Sequence, residues 1–328
     1  MKRLPLVLAC ALPLHAMAAP VEAPPPFDPQ LAAPLQPQGD RAFGAYQRGE
    51  YLQAMQEALK RIDRKDDAGP AMTLVGFLYE NGLGFAKDLK KAAEWYALGA
   101  KEGDANSMVA LALLKLDRPG TPQDRKGAAD LVEKAAGKGD PVAHYNVGLL
   151  FMEGLDRPYD LKTAADHFRK AAEAGNADGE YAWGTMLREG NGTEEDRAKG
   201  NEFLARAAAQ GHLDAMTEYA IDMFNGKGVD RSEEGAARLF LKAATRGSVI
   251  AMNRLARIYV AGRGFEGDRI EAAAWYIAAR KRGAMDPMLD DHLAGLTREE
   301  MASAERRAAE LTDPGGGSAL DASTARAQ

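Results

Sequence analysis

The residues able to do chemistry are few. They are five histidines, one cysteine and a few runs of adjacent carboxylates. The histidines are His15, His144, His167, His212 and His292, and no two of them are four residues apart. There is no His-Glu-x-x-His motif, and Cys10 is the lone thiol, so no His or Cys set has the spacing of a zinc site. No metal and no cofactor are expected. His167 falls in a column of aromatic residues and reads as a packed histidine; His212 follows a turn glycine and reads as solvated. Glu194-Glu195-Asp196, Asp290-Asp291 and Glu299-Glu300 could work as acid and base only in a cleft that separates their environments. They read instead as loops and helix starts, where the helix dipole favours acids. No Gly-x-Ser-x-Gly elbow and no phosphate loop occur, and Gly226-Lys227-Gly228 closes a helix and does not follow a strand. The chain is expected not to be an enzyme.

The elements that carry these residues follow from the rest of the chain. Its 328 residues are enough to bury a sizeable core. With 42 Lys and Arg against 48 Asp and Glu, the net charge is −6 and no long basic run occurs. That argues against sequence-independent binding to nucleic acid or to an anionic membrane, which needs clustered positive charge. No segment approaches the 18 apolar residues of a membrane span.

Gly recurs at 103, 139, 175, 211, 247 and 283, always 36 residues apart. A strict period of this size marks a solenoid of small units. Four residues after the turn glycine comes a column of small residues, Ser107, Ala143, Gly179, Ala215 and Ala251, with Ala71 in the same register. Asp88, Asp124, Asp160, Asp196, Ser232 and Asp268 form a column of expected helix N-caps. Alanine pairs follow, then large pairs such as Trp95-Tyr96, His167-Phe168 and Trp275-Tyr276, so small and large residues share one helix face. The recurring Gly then ends the helix in a left-handed cap. Small residues at Gly76, Ala112, Gly148, Gly184, Ala220 and Ala256 let the other helix of each unit approach closely. Each unit is therefore helix, Gly loop, capped helix, Gly turn, and only stacking buries its apolar stripe. The fold class expected is all-α, a right-handed superhelical solenoid of helix-turn-helix repeats, the handedness by analogy with other helix-pair repeats.

The stretch Ala71 to Tyr96 reads A-x-x-x-x-G-x-L-Y-x-x-G-x-G-x-x-x-D-x-x-K-A-A-x-W-Y. It resembles the Sel-one-like repeat (SLR), a relative of the tetratricopeptide repeat, and the resemblance runs over residues 67–311. Residues 67–282 form six units. Residues 41–66 resemble a degenerate tetratricopeptide unit through Gly49, Tyr51, Ala54 and Ala58, and serve as an N-terminal cap. Residues 283–311 form a C-terminal helical cap, with Thr297-Arg298-Glu299-Glu300 as a capping box. Asp117-Arg118-Pro119-Gly120 and Asp156-Arg157-Pro158 replace the usual Gly loop, either as drift in solvent or as partner-reading loops.

The ends are of another kind. Met1-Lys2-Arg3, an apolar stretch to His15 and Ala16-Met17-Ala18 have the layout of a secretory signal, so residues 1–18 are read as removed and the chain as exported to the periplasm. Val7-Leu8-Ala9-Cys10 loosely resembles a lipoprotein site, but cutting there would leave too short an apolar core, so a lipoprotein is not expected. Residues 19–40 form a Pro-rich disordered linker and 312–328 a disordered tail.

What remains is surface. On the first helix of each unit, the columns two, six and nine residues after the small column are expected to face away from the packed stripe. In helix-pair solenoids this face lines the concave groove, and Tyr and Arg are common interface anchors. Tyr145, Tyr181, Met152, Arg188 and Arg257 are the groove candidates, with inter-helix packing the other reading of the two Tyr and Met152. The resemblance implies a protein-binding scaffold in the bacterial envelope, with roles in signalling or in polysaccharide and wall machinery. The alternative is an accessory protein that binds peptidoglycan or another glycan, with Tyr145 and Tyr181 stacking on sugar rings.

Overall fold

The computed structural model describes residues 40–116, 122–154 and 156–312. The expected signal, Cys10, His15, the linker up to residue 39, the Asp117-Arg118-Pro119-Gly120 loop and the tail from 313 lie outside the described residues. Among those described, sixteen α-helices and no strand form. The N-terminal pair is α1 (Arg41–Gln47) and α2 (Tyr51–Asp63). The first helices of the six units are α3 (Ala68–Asn81), α5 (Ala105–Leu116), α7 (Pro141–Glu153), α9 (Ala177–Glu189), α11 (Leu213–Asn225) and α13 (Val249–Ala261). Their second helices are α4 (Leu89–Lys101), α6 (Pro122–Ala136), α8 (Leu161–Glu173), α10 (Arg197–Gln210), α12 (Glu233–Thr245) and α14 (Arg269–Arg280). The C-terminal pair is α15 (Pro287–Ala294) and α16 (Arg298–Thr312). From α1 to α15 each helix packs on the next in the chain, and α16 returns to pack on α14.

The turn chemistry explains the constant spacing. Asp88, Asp160, Asp196, Ser232 and Asp268 cap the second helices, each accepting from backbone N–H groups of the first turn. Such a cap contributes about 1 kcal/mol. Asp124 departs from the column: α6 already begins at Pro122, so this acid lies inside the first turn and not at the N-cap. Proline suits the first turn because its missing N–H has no partner there anyway, and it starts the helix early. The recurring Gly has φ between 81° and 99° at all six positions, the left-handed region closed to most side chains. A second cap column follows it. Asp104, Asp140, Asn176, His212 and Ser248 each accept from the N–H three residues on, at the start of the next first helix. His212 is therefore not solvated as expected. Its Nδ1 takes the Ala215 N–H and its ring lies against Tyr181.

The core runs as a stripe between the two helices of each unit. Tyr96, Val132, Phe168, Leu204, Phe240 and Tyr276 form one fully buried column. Each of the larger apolar ones contributes about 1.5–3 kcal/mol by leaving water. The facing small column permits the approach: a Cβ on Gly148 would lie 2.6 Å from the Phe168 ring, and one on Gly184 2.4 Å from Leu204. At the C-terminal end the Tyr276 hydroxyl donates to Asp290 and accepts from the Asp286 N–H, and Arg307 of α16 pairs with Glu271 of α14 at 2.7 Å. Thr297 and Glu300 form the reciprocal capping box.

The layers differ along the array. From α3 to α9 the first helices of successive units pack on each other, which successive second helices do not match. The first helices thus form the inner layer. From α9 to α13 they stand further apart, and Arg188 of α9 spans the first of these gaps to Glu218 and Asp222 of α11.

Candidate interaction groove

The groove surface is carried by the first helices, and its columns behave differently from one another. The column two residues after the small residue does not face away from the packing, as expected, but reaches toward the next unit. Thr73 hydrogen-bonds Asp104 and Ser107, Thr217 pairs with Ser248, and Asn253 donates to Asp286. Val109 in the same column is buried. The reason is that a first helix packs on its own second helix and on the neighbouring unit, so its covered arc is wider than one stripe.

Tyr145 and Tyr181 belong to this column and are half-buried. The Tyr145 ring packs on Phe168 at 5.7 Å, and burial pushes its hydroxyl up to about 12. Tyr181 stacks on His212 at 4.4 Å and donates to Glu218 Oε1 at 2.8 Å. Each ring thus makes an inter-helix contact inside the protein, as the packing reading expects.

The columns six and nine residues on are open in part. Leu113, Leu116, Met152 and Val260 are 37–38% exposed, with Leu149, Ile221 and Phe224 half-buried beside them. Met152 lies in this apolar part as a surface residue. Arg188 does not. Its side chain is only 12% exposed, and it donates to Glu218 and, at 3.1 Å, to Asp222. Asp222 is 4% exposed and also accepts from Arg197 at 3.3 Å. Arg188, Tyr181 and Glu218 are thereby joined, while Tyr145, Met152 and Arg257 stand apart from them. Arg257 is 44% exposed and holds Asp286 through two guanidinium nitrogens, at 2.6 and 2.8 Å. The two guanidinium bonds keep the Asp286 carboxyl below its usual range although burial acts the other way.

Several groove residues escaped the sequence reading. Asp222 is an acid in a column otherwise of Leu78, Leu114, Leu150, Met186 and Ile258, and a lone charge among apolar residues signals a paired one. His144 and Glu180 likewise interrupt a column of Met72, Met108, Met216 and Met252. His144 Nδ1 meets His167 Nδ1 at 3.0 Å. Glu180, buried, pairs with Arg206 at 2.5 Å and accepts from Gln210. His167 is packed, as expected, but against a second histidine as well as Phe151. No group of three or more His, Cys, Asp or Glu is placed to hold a metal among the described residues. No helix of the described residues is long and apolar enough to cross a membrane.

The comparisons agree with this architecture. The Sel1 repeat model matches residues 69–104, 105–140, 141–176, 177–212, 213–248 and 249–283, and the chain belongs to the Sel1 repeat family. A Sel1 repeat protein from Oxalobacter formigenes is 28% identical, covering 74% of this chain and 98% of its own, with a TM-score of 0.64. A protective antigen of uropathogenic Escherichia coli strains, displaying an SLR fold, is 23% identical over 87% of this chain and 72% of its own, with a TM-score of 0.53. Among curated proteins, no sequence matches. Sel1 repeat proteins generally mediate protein–protein interaction, and the scaffold is generally non-catalytic.

Proposed function

We propose that this chain is an exported, periplasmic, non-catalytic scaffold that binds a segment of another protein along the groove of its first helices. One observation carries the reading: Leu113, Leu116, Met152 and Val260 leave apolar surface at two recurring positions of the inner layer of the solenoid. An apolar strip flanked by polar side chains is the usual core of a protein interface. The signal-like first 18 residues support export, and the envelope is then where the partner is met.

The test is affinity capture from an envelope extract with the mature chain, beside a Leu113→Glu/Met152→Glu variant of unchanged helical circular dichroism. A protein retained by the wild type and lost by the variant supports the groove. Equal retention by both places binding elsewhere on the molecule and overturns the reading.

A further inference from the structure

Between α11 and α13 the groove deepens into a cavity of about 340 Å³. Ile221, Phe224, Phe240 and Ile258 form its apolar wall, and Met288 of α15 lies at its edge. Three guanidinium groups, those of Arg254, Arg257 and Arg263, line the same cavity. Arg257 is matched by Asp286, and Arg263, lying over the Phe224 ring at 4.6 Å, is matched by Glu233. Glu233 also serves Arg231. Arg254 is exposed and has no carboxylate within ion-pair reach among the described residues. The cavity therefore carries unmatched positive charge on a chain whose net charge is −6. Arg254 stands in register with Leu74, Ala110, Asn146, Ala182 and Glu218, so no other unit places a cation there.

We propose that this cavity receives an acidic peptide segment of the partner protein: one bulky apolar side chain seated on Ile221 and Phe224, with a neighbouring Asp or Glu carboxylate taken by Arg254. The volume is at the lower end for a ligand site and suits one such side chain. A guanidinium beside an apolar wall supplies a planar, charge-assisted contact for a carboxylate. Among the described residues of α5 and α7, which carry Leu113 and Met152, there is no arginine, so the charge sets which end of the segment lies where. This inference rests on the groove reading above and adds the chemistry of its occupant.

The experiment is selection of a displayed library of random twelve-residue peptides on the full chain, followed by fluorescence anisotropy with the winning peptide. The selected peptides are expected to place an aromatic or aliphatic residue beside Asp or Glu. Arg254→Glu should weaken the winner at least tenfold, and Arg254→Gln by less, with both variants melting as the wild type does. Replacing the peptide's acid by its amide should weaken wild-type binding but change little on Arg254→Gln. A winner without acids, unaffected by Arg254→Glu yet lost with Leu113→Glu/Met152→Glu, overturns the charge matching and leaves the groove reading standing. No selected peptide at all would count against the groove reading itself. A concentration-dependent dimer abolished by Arg254→Glu would overturn the proposal in favour of a second copy of this chain.

Discussion

The Arg188 guanidinium on α9 lies 3.1 Å from the carboxylate of Asp222 on α11, across the junction of two units. Both side chains are largely shielded from water. Removing one member of a buried pair leaves the other charge uncompensated, and Arg197 at 3.3 Å replaces Arg188 only in part. Arg188→Ala is expected to cost about 3 kcal/mol in urea-induced unfolding. A loss below about 0.5 kcal/mol, the level of an ordinary surface change, would make Arg188 a free groove residue.

Tyr181 offers a graded test of the same junction. Tyr181→Phe keeps the stack on His212 and loses the hydrogen bond to Glu218, a cost of about 1 kcal/mol. Tyr181→Ala also loses the ring and should cost about 3 kcal/mol. Equal melting temperatures for both variants and the wild type would contradict the inter-helix role.

Gly148→Ala would set a methyl 2.6 Å from the Phe168 ring, so the ring or the helix must move. Overpacking of this kind costs about 1–3 kcal/mol, more than alanine's helix propensity returns. Phe168→Leu in the same chain should recover part of the loss, because Leu204 fills the equivalent position in the next unit. A Gly148→Ala variant more stable than wild type would show that the two helices have room to separate.

The histidine pair predicts a pH dependence. Burial holds both His144 and His167 below the ordinary value of 6.5, and Lys170 acts in the same direction while Asp166 opposes it. Glu133 also opposes it at His167. A folded value below the unfolded one means that the unfolded chain binds protons first as pH falls. The contribution of the pair is complete above pH 6.5 and is lost as pH drops through the depressed folded values. His144→Met/His167→Phe, which restores the residue types of the neighbouring units, should flatten stability between roughly pH 7 and 5. Chemical denaturation across that range reads the slope, and an unchanged slope would sink the assignment.

The architecture was legible because its signals are local and repeat without insertion. The Gly column, the capping acids and the small-to-large pairing each act within a few residues, and six copies reinforce them. The groove was less legible because it depends on contacts between units. A helical wheel around Ala71 shows which residues face the partner helix of the same unit. It does not show that Tyr181 reaches the neighbouring unit, while Tyr145 packs on Phe168 of its own. His212 was misplaced for the same kind of reason, since a ring nitrogen can do at an N-cap what Asp104 and Asn176 do in other units. Arg254 was overlooked because an exposed arginine on a helix is ordinary until the cavity beside it is seen.

Mechanically, the array has two kinds of joint. From α3 to α9 the first helices sit flush, backbone near backbone, and such a joint has no slack. The α9–α11 joint is strutted: Tyr181 and Arg188 span it, and past α13 Asp286 is clasped by Arg257. A strut changes length by a rotamer hop, without any helix being rebuilt. The gauge of the groove over its last units is thus written in side chains, and a single substitution there retunes the opening while the frame of the solenoid stays as it was.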